Sequence, residues 1–231
     1  AMSTANAYLT VRGIDIDVRG HAGAIGIKHT GSQGSTLEDS TIQAEGAFAG
    51  MFNCPGQGGG TYGVKVEGGR YGLYAIPECR FPMLAACEFT GQTSAAVAYS
   101  SVGLPLLLAG CLIRDTRGPA LDLSQAKPSA GACLVDCIVS MAGGGDAIAT
   151  PGPWSLLLEN VYLTGAERIR SGGDPIADPA KWTRIERYAS CSAGATHCLD
   201  GVFSTGEIAK TSNIAGAPPF AQPALSITPA G

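Results

Sequence analysis

The sequence predicts an all-β fold, a right-handed parallel β-helix (solenoid) of about eight coils, and three observations carry that expectation. One pattern, an apolar residue followed by two variable positions, a small or thiol residue and a second apolar residue, recurs at a period of about 24 residues. Glycine is abundant, 33 of 231 residues, without the three-residue spacing of collagen, so many tight turns are expected. Aromatic residues make up only 6%, which leaves the core to Ala, Val, Ile, Leu and Cys, side chains suited to thin repeating layers.

The repeats fall at residues 11–16, 37–42, 66–71, 84–89, 108–113, 134–139, 158–163 and, more weakly, 185–190. Stacked on one another they form one inward column of Val11, Leu37, Val66, Leu84, Leu108, Leu134, Leu158 and Ile185. A second inward column holds Ile16, Ile42, Tyr71, Phe89, Ile113, Val139 and Leu163. Several repeats carry another short apolar stretch roughly ten residues later, at 24–27, 72–76, 95–98, 120–123 and 146–149, each too short for a helix. Brief strands of this kind bury no apolar face alone, but in a stack each position becomes a column running along a parallel sheet. Leucine-rich and helical repeats have similar periods, yet no helical periodicity lies between these strands. The expected organisation is an N-terminal extension or cloning remnant at 1–7, the β-helix at 8–207, and a Pro- and Ala-rich C-terminal tail at 208–231.

Three of the eight cysteines, Cys87, Cys111 and Cys137, share one column in consecutive repeats, so a buried ladder of thiols is expected in place of a metal cluster, whose ligands must converge on a point. Cys191 and Cys198 are spaced for a loop disulfide in an oxidising compartment; Cys54, Cys79 and Cys133 have no assignment. The net charge of −4 argues against a nucleic-acid partner, and the absence of an 18-residue apolar run argues against a membrane-spanning segment.

The stretch 55–60 with its four glycines, followed by 64–72 and then Phe89-Thr90-Gly91-Gln92-Thr93, resembles the pectate lyase superfamily type of β-helix. More narrowly, it is similar to bacterial glycoside hydrolase family 55-like and pectate-lyase-like proteins from Gly13 to about Thr164, and more faintly through Trp182 and residues 200–204. The resemblance implies a carbohydrate-active protein, secreted or periplasmic, acting on a polysaccharide as a glycoside hydrolase or a lyase. The alternative reading is a non-catalytic carbohydrate-binding, adhesive or structural module. Such proteins begin with a capping helix, and nothing like it precedes Tyr8. The Val11 and Ile16 layer is therefore expected to be covered by a missing N-terminal segment of a longer chain, by self-association or by a partner.

Glycosidases need two carboxyls flanking the scissile bond, and stacking places Glu159 beside Glu186, just as it places Arg12, Glu38 and Glu67 in consecutive coils. Elimination needs a base that removes a proton α to a uronate carboxylate, commonly Lys or Arg in that superfamily, often with Ca2+; no resident cofactor is expected otherwise. Lys28, Tyr74 and Asp122 are the outward candidates on the later strand of their coils, with Arg114, Asp115 and Arg117 on the approach. The candidate catalytic residues are thus Asp122, Glu159, Glu186 and Lys28, and the candidate substrate-binding residues Tyr74, Arg114 and Arg117. Asp15 and Asp17 form a weak Ca2+ candidate without a third acidic ligand, and none of His21, His29 and His197 has a nucleophilic partner at motif spacing.

Overall fold

Short extended segments separated by bends follow one another along almost the whole chain. The computed structural model describes residues 7–31, 33–76, 82–100, 105–125, 131–150, 155–190, 197–199, 202–204, 207–214 and 218. The first rung holds β1 (Thr10–Arg12), β2 (Ile16–Asp17) and β3 (Ile25–Lys28), and the second β4 (Thr36–Glu38), β5 (Thr41–Gln43) and β6 (Ala49–Phe52). The third is β7 (Gly60–Tyr62), β8 (Lys65–Glu67) and β9 (Tyr71–Ala75), and the fourth β10 (Met83–Ala85), β11 (Glu88–Thr90) and β12 (Ala95–Tyr99). The fifth is β13 (Leu106–Ala109), β14 (Leu112–Thr116) and β15 (Leu121–Asp122), and the sixth β16 (Gly131–Val135), β17 (Ile138–Met141) and β18 (Asp146–Ala149). In the seventh rung β19 (Ser155–Thr164) runs through both of the first two strand positions and β20 (Arg168–Arg170) takes the third. After it come β21 (Trp182–Ser190), β22 (His197–Leu199), β23 (Val202–Ser204) and β24 (Glu207–Ile214).

Every rung pairs in parallel with the next, so the chain is a parallel β-helix, and the described residues contain no helix. The register defines the inward columns. The first is Val11, Leu37, Thr61, Leu84, Leu108, Leu134 and Leu158, and the second is Ile16, Ile42, Val66, Phe89, Ile113, Val139 and Leu163. The third rung thus departs from expectation. Thr61, fully buried, occupies the first column where Val66 was expected, and Val66 takes the second where Tyr71 was expected. A pattern of apolar residues passes over a buried threonine and locks on to the next valine. The same slip moves Glu67 away from Glu38: Tyr62 is the neighbour of Glu38, and Glu67 lies between Gln43 and Thr90.

The bend between the first two strands repeats in all seven rungs. One residue there has positive φ, between 48° and 65°: Gly13, Asp39, Gly63, Ala86, Gly110, Asp136 and Asn160. Gly, Asp and Asn tolerate this left-handed conformation, and Ala86 is the exception. The amides at the first six of these positions each donate to a carbonyl of the next rung, as from Asp39 to Tyr62 (3.0 Å) and from Ala86 to Ala109 (2.9 Å). The residue just after the bend turns inward, and in rungs four to six it is Cys87, Cys111 and Cys137, all at most 1% exposed. Their Sγ atoms donate to backbone oxygens, Cys87 to Thr61 (3.5 Å), Cys111 to Leu84 (3.4 Å) and Cys137 to Val135 (3.2 Å). Hydrogen bonding with Cys111, together with burial, pushes the Cys137 thiol well above its ordinary range, so it stays protonated and unreactive. Cys79 and Cys191 lie outside the described residues, as does the Cys198 side chain, and with them the expected loop disulfide.

The eighth repeat, expected at Ile185, is not a parallel coil. β21 lies antiparallel to β19, with Ile185 opposite Val161 and Tyr188 opposite Leu158. The direction follows from where the chain re-enters: the Gly165 amide holds the Pro179 carbonyl (2.7 Å) at the far end of β19, so the next strand runs back along it. β24 adds antiparallel to β21, with Trp182 opposite Ile214. It begins at Glu207 and passes through the position where the Pro- and Ala-rich tail was expected to start.

Candidate functional site

The third strands of the rungs form a separate seven-stranded sheet, β20-β18-β15-β12-β9-β6-β3. Its inner side is shaped by small residues. A Cβ at Gly26, Gly50 or Gly72 would collide with Ile42, Val66 or Phe89 respectively, the bulky second-column residues across the coil. In β9 the neighbour of Gly72, Leu73, is also fully buried. Strict alternation would put Tyr71 and Tyr74, three residues apart, on opposite faces. Because Gly72 and Leu73 both point inward, both tyrosines lie outside.

These tyrosines meet Phe48 and Phe52 of the rung below. Ring centroids lie 5.5 Å apart for Phe48 and Tyr71, 5.0 Å for Phe48 and Tyr74, 5.7 Å for Phe52 and Tyr74, and 4.9 Å for Tyr71 and Tyr74. Edge-on and tilted packing of this kind is the favourable arrangement of ring quadrupoles, and it holds the cluster rigid. All four residues are half-buried, so ring surface remains open. Two exposed cations flank the patch: Lys28 Nζ lies 5.2 Å from the centroid of Phe52, and Arg70 Cζ lies 5.7 Å from that of Phe48 and 5.8 Å from that of Tyr71.

Of the residues singled out from sequence, Lys28, Tyr74 and Asp122 do share one column of this sheet, in the order Lys28, Phe52, Tyr74, Ala98, Asp122, Ala149. Lys28 and Asp122 stand four rungs apart, about 19 Å at the usual strand spacing, too far to act on one bond. Fully buried Ala98 lies between Tyr74 and Asp122, and the Asp122 Oδ1 accepts the Ser124 amide at 3.0 Å, closing a local turn. Glu159 and Glu186 are not stacked: Arg187 sits opposite Glu159, a consequence of the antiparallel β21, with Nη2 3.6 Å from its carboxylate. Glu186 faces Lys210 at 3.5 Å. On the other outer face Arg114 reaches Glu88 at 2.8 Å, and Lys65 approaches the same carboxylate at 3.9 Å. Arg117 is exposed at a turn, its amide bound to the Gln92 carbonyl, and Asp115 is exposed with positive φ. The Asp15 Oδ1 accepts the Thr41 amide at 3.2 Å. The side-chain hydrogen bond from Arg19 draws the Asp17 carboxyl down to about 2, so both acids of the Ca2+ candidate are engaged elsewhere. His29 is buried, and His21 is exposed.

Sequence reading missed Phe48, Phe52 and Arg70 and placed Tyr71 inside. The signal was present: two aromatic pairs, 48 with 52 and 71 with 74, are offset by about one repeat, as residues stacked in adjacent rungs must be. Two concavities lie elsewhere. One, about 470 Å³, is apolar and bordered by Pro82, Met83, Pro105 and Leu107. The other, about 330 Å³, lies beside β20, where Arg170 Nε donates to the buried Tyr188 hydroxyl at 2.6 Å. No protein-family model matches the chain, and no curated protein matches it either.

Proposed function

We propose that this chain is a polysaccharide-active β-helix that works by binding, through the aromatic face formed by Phe48, Phe52, Tyr71 and Tyr74. The observation that carries the reading is a packed, partly open four-ring patch on the outside of a parallel sheet. A pyranose ring presents a face of C–H groups that packs on an aromatic π-surface, while its hydroxyls stay in water or meet polar side chains at the rim. Rings in two successive rungs provide a platform along the rod axis, as a polymer requires. Binding is favoured over cleavage because Asp122, Glu159 and Glu186 are engaged by a turn amide, Arg187 and Lys210. A secreted or periplasmic setting, where structural polysaccharides are met, is part of this proposal.

Affinity electrophoresis against a panel of soluble polysaccharides tests the proposal. Tyr74→Ala and Phe52→Ala should each weaken retardation at least tenfold without altering the circular dichroism spectrum. Retardation that survives both substitutions, or new reducing ends appearing in the polymer, would count against a binding face at this place.

A further inference from the structure

We propose that residues 215–231, the uncharged Pro- and Ala-rich segment after β24, dock in an extended conformation on an apolar face formed by the first strands of rungs three to seven. This face belongs to the large sheet and is separate from the aromatic patch, so the inference is independent of the glycan-binding reading. Two outward columns make it. Met83, Leu107, Cys133 and Leu157 pair from rung to rung, and beside them run Tyr62, Ala85, Ala109 and Val135. All eight are half-buried, and they alternate along their strands with inward residues such as Leu84 and Leu108. The same outward positions in the first two rungs hold Thr10, Arg12, Thr36 and Glu38, and Glu159 closes the seventh-rung end, so the uncharged stretch is confined to this part of the rod. The apolar concavity of about 470 Å³ is part of it, since Met83 and Leu107 form one of its walls.

Size, charge and reach decide the occupant. From the third rung to the seventh the face runs about 19 Å, and its two columns stand about 7 Å apart, so it offers on the order of 200 Å². A stable interface between two chains takes about 800 Å² from each partner, more than a second copy could find here. One extended segment, about 10 Å across with its side chains, matches the width. Residues 215–231 carry no charged side chain, and Pro218, Pro219, Pro223 and Pro229 favour an extended polyproline conformation, in which the segment reaches about 50 Å. β24 lies in the same sheet, and Ile208 stands level with Ala189 and Leu157. From Ile214 the far corner of the face at Met83 is therefore about 20 Å back along the strand direction and about 24 Å across the sheet, within that reach. Pro218, four residues past Ile214, is buried, so the segment turns onto the body of the protein at its start. An uncharged segment on an uncharged face desolvates no ion, and Phe220, Leu225 and Ile227 leave water.

Cys133, a free cysteine in the middle of the face, reports whether it is covered. The full chain and a variant combining Phe220→Asp, Leu225→Asp and Ile227→Asp are treated with N-ethylmaleimide, and the modified positions are followed by peptide mass spectrometry. Cys133 should react at least tenfold faster in the variant than in the wild type, while the buried Cys111 and Cys137 stay unmodified in both. Should that variant open the core, seen as modification of Cys111 and Cys137, the milder pair Phe220→Ser and Leu225→Ser replaces it. Equal rates at Cys133 with the core thiols protected would overturn the proposal. Protection of wild-type Cys133 that grows with protein concentration would give the face to a second copy and overturn it as well.

Discussion

Equivalent positions at the two ends of the rod have very different surroundings. In the first rung Ile14 is 49% exposed, Leu9 47% and Tyr8 79%, and Val11 and Ile16 are only partly buried. In the seventh rung the corresponding Val161 is 1% exposed, and Leu158 and Leu163 are 2% exposed. The residue types match, yet burial does not. β19 has β16 and β17 on one side and β21 on the other, whereas β1 and β2 have described neighbours on one side only. Inward orientation is thus a property of the repeat, while burial requires a layer above and a layer below. At about 25 cal/mol per Å² of apolar surface, the described first rung gains less from burial than the seventh.

The largest expected effect sets the two ends against each other. Tyr188, 1% exposed and bonded through its hydroxyl to Arg170, anchors the antiparallel strands against the seventh rung. Tyr188→Ala should cost about 3–5 kcal/mol in chemical denaturation, and Ile16→Ala about 1 kcal/mol, since much of that side chain's surface is already wet. Comparable losses from the two substitutions would show that the ends are equally covered.

A smaller effect concerns the position after the bend. Ser40 fills it in the second rung, donating to the Glu38 carbonyl at 2.9 Å and accepting the Ile14 amide at 3.2 Å. Cys111 fills it in the fifth, amid other thiols and at 1% exposure. Cys111→Ser should therefore destabilise by about 1 kcal/mol, the low end of the cost of burying a hydroxyl, because the Leu84 and Ala109 carbonyls are in reach. Equilibrium unfolding in urea measures it, and a gain in stability would mean that the interior there is as polar as at Ser40.

The smallest effect is a gain. Ala86 is the one residue of the seven bends that is neither Gly, Asp nor Asn, at φ 53°. Ala86→Gly should stabilise by about 0.5–1 kcal/mol, the relief of a left-handed alanine less the added freedom of the unfolded chain. The converse Gly13→Ala, at φ 65° in the open first rung, should lower the melting temperature. No change at either position would show that the bend is set by its inter-rung hydrogen bonds alone.

The sequence by itself determined what depends on local pattern. The repeat period, the inward columns of six of the seven rungs, the ladder of Cys87, Cys111 and Cys137, and the outward alignment of Lys28, Tyr74 and Asp122 were all legible from residue type and spacing. Stacking multiplies a weak local preference by the number of rungs, so the pattern stands above the noise. Tertiary structure decided whatever turns on which segments meet. Thr61 is inside because Leu37 and Leu84 flank it, not because it is apolar. β21 runs backward because the chain is held at Pro179, and that direction parts Glu186 from Glu159. Tyr71 joins Tyr74 outside because Phe89 leaves room for no side chain at Gly72, so the aromatic face is a product of packing across the coil that no single repeat encodes.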